Sequence, residues 1–174
     1  MDDPNAVWMP SSNYFPGRAG HRPRWIIIHG TAGFGSAMEV GYYFQHKEVA
    51  THYIIGRDGI IVQCVREHDG AWGNGGVTAG HAEWWTRAIN PNNVTISIEH
   101  VKPARDNSSE LTEVQKEVSF RLVRRICQRN RIPGRWADQD GGITGHYSMD
   151  PVHRGFCPGP YPWDELFAFL DGEG

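Results

Sequence analysis

Trp25-Ile26-Ile27-Ile28-His29-Gly30-Thr31-Ala32-Gly33 begins with four large apolar residues, stops at a histidine and then turns small. An unbroken apolar run of this length predicts a central strand buried on both faces, with helices on either side of its sheet. The small residues after His29 open the backbone where the strand ends, and strand ends are where α/β domains place ligands. A lone histidine there is in the plain case a buried, hydrogen-bonded ring, so His29 needs partners before it implies chemistry.

The flanking sequence supplies the rest of a fold. Residues 1–23, rich in Pro, Asn, Ser and Gly, predict an irregular surface arm, with the domain proper over 24–174. Ser36 caps a helix to about Lys47, with Ala37, Val40 and Phe44 on its apolar side. Residues 51–56 and 60–65 flank Arg57-Asp58-Gly59 as a hairpin. Residues 66–93 hold Gly70, Gly73, Gly75, Gly76, Gly80 and three tryptophans without periodicity, which predicts a functional loop. Residues 94–99 alternate, with Val94, Ile96 and Ile98 on one side and Thr95, Ser97 and Glu99 on the polar or cleft-facing side. Thr112 caps the clearest helix, Glu113 to about Asn130, whose stripe is Val114, Val118, Leu122, Ile126 and Cys127; Pro133-Gly134 ends it. A last helix covers 163–170. The pattern is a single α/β domain, a mixed central β-sheet flanked by helices.

A chain of 174 residues can bury a full core without staples, and 39% hydrophobic with 21% charged residues describes an ordinary globular domain. A net charge of −3 without a basic stripe argues against a nucleic-acid partner. No run approaches the ~18 apolar residues of a membrane span. Met1-Asp2-Asp3-Pro4 is acidic and lacks an apolar leader pattern. The expectation is a protein that works in the cytoplasm, or that is made there and leaves by another route, or that is secreted through a leader trimmed from the sequence. A monomer is expected. Three cysteines make no disulfide framework: Cys64 and Cys127 read as small buried residues, and a bridge between them has no positive support.

Cys157 differs. It lies eleven residues after His146, and Pro158-Gly159-Pro160 follows at once, fixing it in a rigid turn. His146, preceded by Gly145, ends the short segment Ile143-Thr144 as His29 ends its own. Two imidazoles and a thiolate hold Zn²⁺ tetrahedrally and leave the fourth position open, the arrangement of a catalytic zinc. Among rival histidines, His21 and His46 sit in polar contexts, His68 and His81 in the long loop, and His100 faces away from Glu99. His52 and His153 stay open as ligands. Glu99 is the general-base candidate, set against the plainer reading of a strand glutamate in a salt bridge. Arg154 and His153 are the candidates for stabilising a developing oxyanion, set against two solvated turn residues.

The runs Ile26-Ile27-Ile28-His29-Gly30-Thr31-Ala32-Gly33, His52-Tyr53-Ile54-Ile55-Gly56-Arg57-Asp58-Gly59, Val94-Thr95-Ile96-Ser97-Ile98-Glu99 and Gly145-His146…Cys157-Pro158-Gly159-Pro160 resemble the type 2 N-acetylmuramoyl-L-alanine amidases. That family includes phage endolysins and bacterial cell-wall amidases and shares its fold with the peptidoglycan recognition proteins. The resemblance covers about residues 24–170, in order and at compatible spacings. It implies one catalytic Zn²⁺ in a groove above one face of the sheet, held by His29, His146 and Cys157, with Glu99 as the acid. The reaction implied is hydrolysis of the amide between N-acetylmuramic acid and L-alanine of the peptidoglycan stem, hence cell-wall lysis by a chain made in the cytoplasm and leaving it to act on the cell wall. Thr31 and the long loop, with Trp72, Asn74, Trp84 and Trp85, are then expected to line the substrate; the plainer reading buries the tryptophans against the sheet.

Two positions depart from the family pattern. Phage members often carry a tyrosine before the hairpin histidine; Thr51 stands there, so Glu99 acts alone or with water. Many members place a lysine two residues before the third ligand; Gly155 stands there, which leaves Arg154 or His153 to replace it. The alternatives are a non-catalytic recognition protein, which usually loses a ligand, a cytoplasmic amidase recycling soluble anhydro-muropeptides, and a structural zinc domain with His153 as fourth ligand.

Overall fold

In a computed structural model the chain is described over residues 1–172; Glu173 and Gly174, the end of the expected 24–174 domain, lie outside the described residues. In order come β1 (Ala6–Trp8), β2 (Tyr14–Phe15), β3 (Trp25–Gly30), α1 (Ala37–His46), β4 (Tyr53–Ile55), β5 (Ile61–Gln63), β6 (Gly70–Ala71), β7 (Thr95–His100), α2 (Glu113–Asn130), β8 (Gly142–Gly145), α3 (Pro151–Arg154) and α4 (Trp163–Asp171). Six strands form one mixed sheet, β1-β5-β4-β7-β3-β8, and β2 pairs with β6. β3 runs parallel to both its neighbours, β7 and β8, as its unbroken apolar run requires. β4 and β5 form the expected hairpin, and Gly59 takes the left-handed conformation its turn needs, φ +85°.

Local chemistry explains the helices. Ser36 Oγ accepts from the Glu39 N–H and Thr112 Oγ1 from the Gln115 N–H, each capping the helix that follows. α2 stops where Arg131 turns left-handed, and the Ile132 N–H donates to the Cys127 carbonyl.

The sheet is covered on both faces. On one, Ile26, Ile28, Ile96, Ile98 and Ile143 pack beneath Leu122, Val123 and Ile126 of α2 and Leu166 of α4. Val114, expected in that stripe, is exposed because it overhangs the hairpin tip at Gly59 rather than the sheet. On the other face, Val40 and Phe44 of α1 cover Ile54 and Val62, while Trp85 and Met149 cover Trp25 and Ile27. β7 runs between these two apolar patches and contributes Thr95 and Ser97, buried polar residues, to the same face. No helix among the described residues is long and apolar enough to cross a membrane.

The reading of residues 1–23 as an irregular arm is corrected. Ala6–Trp8 pairs in parallel with β5 at the sheet edge, and Tyr14–Phe15 pairs with β6. Asp3 is wholly buried and paired with Arg125 and Arg129 of α2. Arg18 is wholly buried too, donating to the carbonyls of Glu67, Asn92 and Thr95. Strands of two and three residues are too short to show alternation, and the partners of Asp3 and Arg18 come from remote segments, so composition alone misled.

Two buried histidines belong to this framework. His52 Nδ1 accepts from the Ser97 N–H, so Nε2 carries the proton and donates to the Asp69 carbonyl. His100 Nδ1 donates to the His29 carbonyl and Nε2 accepts from Ser119 Oγ. Burial pushes both down to about 3, and the Arg18 guanidinium adds to the effect at His52. In the unfolded chain each takes a proton near 6.5, so between those values the unfolded state binds more protons and acid favours unfolding. Each contributes about 2 kcal/mol less stability at pH 5 than above its unfolded pKa. Glu99, raised to about 8 by burial, works the other way, but is one group against four lowered imidazoles, His29, His52, His100 and His146. The urea midpoint should therefore be clearly lower at pH 5 than at pH 7; equal midpoints would contradict the neutral burial of these rings.

Candidate metal centre

Parallel register sets the site. His29 of β3 stands opposite Glu99 of β7, and Ile28 stands opposite Gly145, so His146 leaves β8 level with His29. Their rings meet edge to face with centroids 4.4 Å apart. Cys157 arrives from the turn after α3. Its N–H donates to the Arg154 carbonyl, its own carbonyl accepts from the Tyr147 N–H, and Sγ lies 3.9 Å from His29 Nδ1. A Cβ on Gly30 would fall 2.6 Å from Asn107 Oδ1 and 2.7 Å from the Pro158 carbonyl oxygen, so only glycine lets the cysteine turn close on β3. One donor atom each from His29, His146 and Cys157 lies within 4.8 Å of the other two, and all three residues are buried.

Hydrogen bonds select the ring nitrogens that face the cysteine. His146 Nε2 lies 2.8 Å from the Asn74 carbonyl oxygen, and His29 Nε2 lies 3.1 Å from Asn74 Oδ1. Both contacts occupy Nε2 and leave Nδ1 for a ligand role, with the Cys157 thiol 3.9 Å from His29 Nδ1. Burial holds both rings neutral, His29 well below the usual histidine range with the neighbouring His146 adding to the effect, and His146 at about 4. Neutral imidazoles with a free nitrogen are metal ligands. Burial pushes the Cys157 thiol up to about 12, helped by Glu99, so the thiolate forms where a cation offsets that burial. Two imidazole nitrogens and one sulfur suit zinc, with one tetrahedral position to spare.

Glu99 completes the group. Its Oε1 lies 4.0 Å from His29 Nδ1, and its Oε2 is buried without a hydrogen-bond partner, so the site fits a proton-bearing group beside the three donors. Burial lifts the Glu99 carboxyl to about 8, against the pull of Arg154. A carboxyl that titrates near neutrality can both take and return a proton. A cavity of about 300 Å³ opens over these side chains; Thr31 and Arg154 line its rim, and Phe34, Tyr43 and Phe44 form an apolar wall.

The family described as N-acetylmuramoyl-L-alanine amidase (Amidase_2) matches residues 19–160. The chain belongs to this family. Membership places it in the N-acetylmuramoyl-L-alanine amidase class of enzymes. Solved structures share the fold. An AmpD derivative is 21% identical with a TM-score of 0.73, over 97% of this chain and 96% of that one. A mutant endolysin from Bacillus subtilis is 18% identical with a TM-score of 0.66, over 95% and 98%. AmiD from E. coli, in complex with the substrate anhydro-N-acetylmuramic acid-L-Ala-D-gamma-Glu-L-Lys, is 22% identical with a TM-score of 0.64, over 91% and 60%. No curated protein matches significantly.

Within this amidase-family domain the two candidates for the replaced lysine separate. Arg154 lines the cavity, whereas His153 has a side chain 65% exposed and bonds Asp150 through Nδ1 at 3.0 Å. His153 is also no fourth ligand: the donor cluster among the described residues holds three members. His52, left open as a ligand, is locked beneath β7 by Ser97 and Asp69. Two residues expected to contact substrate do not line this cavity. Trp72 packs at a tilt against Phe15, ring centroids 5.5 Å apart, and the neighbouring Gly73 is what reaches the cavity, because the loop turns the indole outward over the β2 ribbon. Asn74 is buried behind the histidines instead of facing the cleft. Trp85 packs on Trp25 and donates to Ser148 Oγ, which matches the plainer reading.

Sequence reasoning missed Asn107 and Lys102. Asn107, left-handed at φ 62°, accepts from the Ala32 N–H and donates to the Gly30 carbonyl, so it shapes the cavity floor. Its signal was an Asp-Asn-Ser turn, asparagine being among the few residues that tolerate that conformation. Lys102 is wholly buried, and Nζ donates to the Pro160 carbonyl at 2.6 Å, pinning the cysteine turn. No local pattern marks a lysine that is satisfied by carbonyls.

Cys157→Ser should weaken zinc binding severely and remove the thermal stabilisation that added zinc confers on the parent chain. Equal zinc content in parent and variant would rule out the ligand assignment. Arg154→Ala should lower turnover about 100-fold with little change in substrate affinity, while His153→Ala stays near wild type. The reverse ranking would transfer the role to His153.

Proposed function

We propose that the chain is a zinc-dependent peptidoglycan hydrolase that cleaves the amide between the lactyl group of N-acetylmuramic acid and L-alanine of the stem peptide. The observation that carries this reading is the juxtaposition of three buried donors with Glu99 under one cavity, in an amidase-family chain. Zinc held there would polarise a carbonyl and make water acidic enough to deprotonate near neutrality. Glu99 takes the proton of the attacking water as its oxygen adds to the lactyl carbonyl carbon. The Arg154 guanidinium, at the cavity rim, balances the charge that grows on the carbonyl oxygen. As the C–N bond breaks, Glu99 returns its proton to the alanine nitrogen, leaving a muramic acid carboxylate and a free amine. Phe34 and Tyr43 offer the apolar wall against which sugar or methyl groups pack.

Lysis of intact wall is the setting we favour, and the likeness to endolysin folds supports it. A role on soluble anhydro-muropeptides is the second reading, supported by the likeness to AmiD, whose complex holds such a molecule. Digestion of both substrates side by side separates them by rate. In either case mass spectrometry should find new L-alanine amino termini and no new reducing sugar ends. Muramic acid still joined to alanine, with cut glycan or cut peptide, would rule out the amidase reading. Glu99→Gln in the same assay should keep zinc and fold and lose about two to four orders of magnitude in rate.

A further inference from the structure

Asn74 touches both candidate ligand histidines, and does so with different atoms. Its side-chain Oδ1 faces His29 Nε2 at 3.1 Å, and its backbone carbonyl faces His146 Nε2 at 2.8 Å. We propose that Asn74 is the positioning residue of the metal centre, orienting His29 through its side chain and His146 through its main chain so that both rings present Nδ1 to the metal. The proposal rests on the zinc reading above.

The direction of each bond follows from what its neighbours can do. Thr95 Oγ1 donates to the Pro91 carbonyl at 2.9 Å, an atom that only accepts, so its lone pairs remain for Asn74 Nδ2 at 2.7 Å. The amide is thereby fixed with Nδ2 toward Thr95 and Oδ1 toward His29, where Oδ1 also accepts from Ser97 Oγ at 3.3 Å. An amide oxygen cannot donate, so the proton of the His29 contact sits on Nε2. The same holds at His146, whose partner is a backbone carbonyl. The Asn74 N–H donates to Asn92 Oδ1 at 3.0 Å, so all four polar groups of this buried residue are engaged. A ring turned over would set a C–H against its acceptor: at His146 that strands the Asn74 carbonyl without a donor, and at His29 it leaves Oδ1 only the 3.3 Å contact from Ser97 Oγ.

Asn74 belongs to the long loop, whereas the histidines end strands of the sheet. The loop is therefore part of the metal centre and not only its cover. Outer contacts of this kind hold the tautomer and orientation of ligand histidines, and losing one typically lowers metal affinity about 10–100-fold.

The test uses the full chain, labelled with nitrogen-15 and free of metal, with imidazole N–H resonances read by NMR and zinc affinity read by chelator competition. The parent chain should show slowly exchanging Nε2–H signals for both His29 and His146. Asn74→Ala should lose the His29 signal, keep that of His146, whose partner is main chain, and bind zinc about 10–100-fold more weakly. Asn74→Asp keeps an acceptor oxygen and should keep both signals and an affinity within a few-fold of the parent. An Asn74→Ala chain with an unchanged His29 signal and unchanged affinity overturns the proposal. Loss of both signals together also overturns it, since that marks a collapsed loop and not a side-chain contact. Should Asn74→Ala fail to fold, Asn74→Asp decides alone: a folded aspartate variant without the His29 signal counts against the proposal. A parent chain that binds no zinc overturns the zinc reading itself, an outcome distinct from a zinc-binding parent with an indifferent Asn74→Ala.

Discussion

The parallel pairing of β3 with β7 and β8 is the constraint on which this molecule depends. It sets His29 beside Glu99 and Ile28 beside Gly145, and so delivers two imidazoles and a carboxylate to one edge of the sheet. Because side chains alternate across a strand, a slip of one residue would send His29 into the apolar layer under α2 and bring Ile28 to the cavity. The branched residues on the opposite face oppose that slip: Ile26, Ile28, Ile96 and Ile98 have no solvent-facing alternative. Hydrophobic burial on one side of the sheet thus holds the geometry of the chemistry on the other.

The functional face carries polar groups that an ordinary core would exclude. His29, His52, Thr95, Ser97, Asn74 and Arg18 are all buried there, and each has hydrogen-bond partners. Buried polar groups are tolerated when they are satisfied, and a satisfied network is rigid. Here rigidity matters because three donor atoms must stay within a few ångströms of one another without a covalent tie. The long loop closes this layer, using Asn74 against the histidines and Trp85 against Trp25. Desolvation then acts on every titratable group in the same direction, toward neutrality. It keeps the imidazoles available as ligands, raises Glu99 to about 8, and holds Cys157 as a thiol. A divalent cation in the centre is the charge that such an environment would accept most readily, since it stabilises the thiolate and carboxylate that burial disfavours.

The two departures from the family pattern have local explanations. Thr51, where a tyrosine is common, is buried and donates to the Ser97 carbonyl, so it serves β7 and contributes nothing to the cavity. Gly155, where a lysine is common, sits next to Arg154, and α3 aims Arg154 at the cavity while Asp150 caps the helix and holds His153 outside. Arg154 is thus the cation that the turn before Cys157 brings to the cavity lining.

The sequence by itself determined the α/β class, the caps at Ser36 and Thr112, the Asp-Gly hairpin, and His29, His146 and Cys157 as the residues to examine. Each of these is written in local chemistry: an apolar run, a side chain that bonds three residues on, a rigid Pro-Gly-Pro turn. Only tertiary structure decided that residues 1–23 complete the sheet, that Arg154 and not His153 faces the cavity, that His52 belongs to the framework, and that Asn74 lies behind the two histidines instead of in the cleft. Those outcomes depend on which remote segments become neighbours. Asp3 meets α2, Arg18 meets the Thr95 carbonyl, and Asn74 meets two strand ends, contacts spanning 45 to 122 residues of chain. Separations of that size leave no periodicity behind, because the energy that fixes such contacts comes from satisfying buried donors and acceptors across the fold and not from any propensity of the residues beside them.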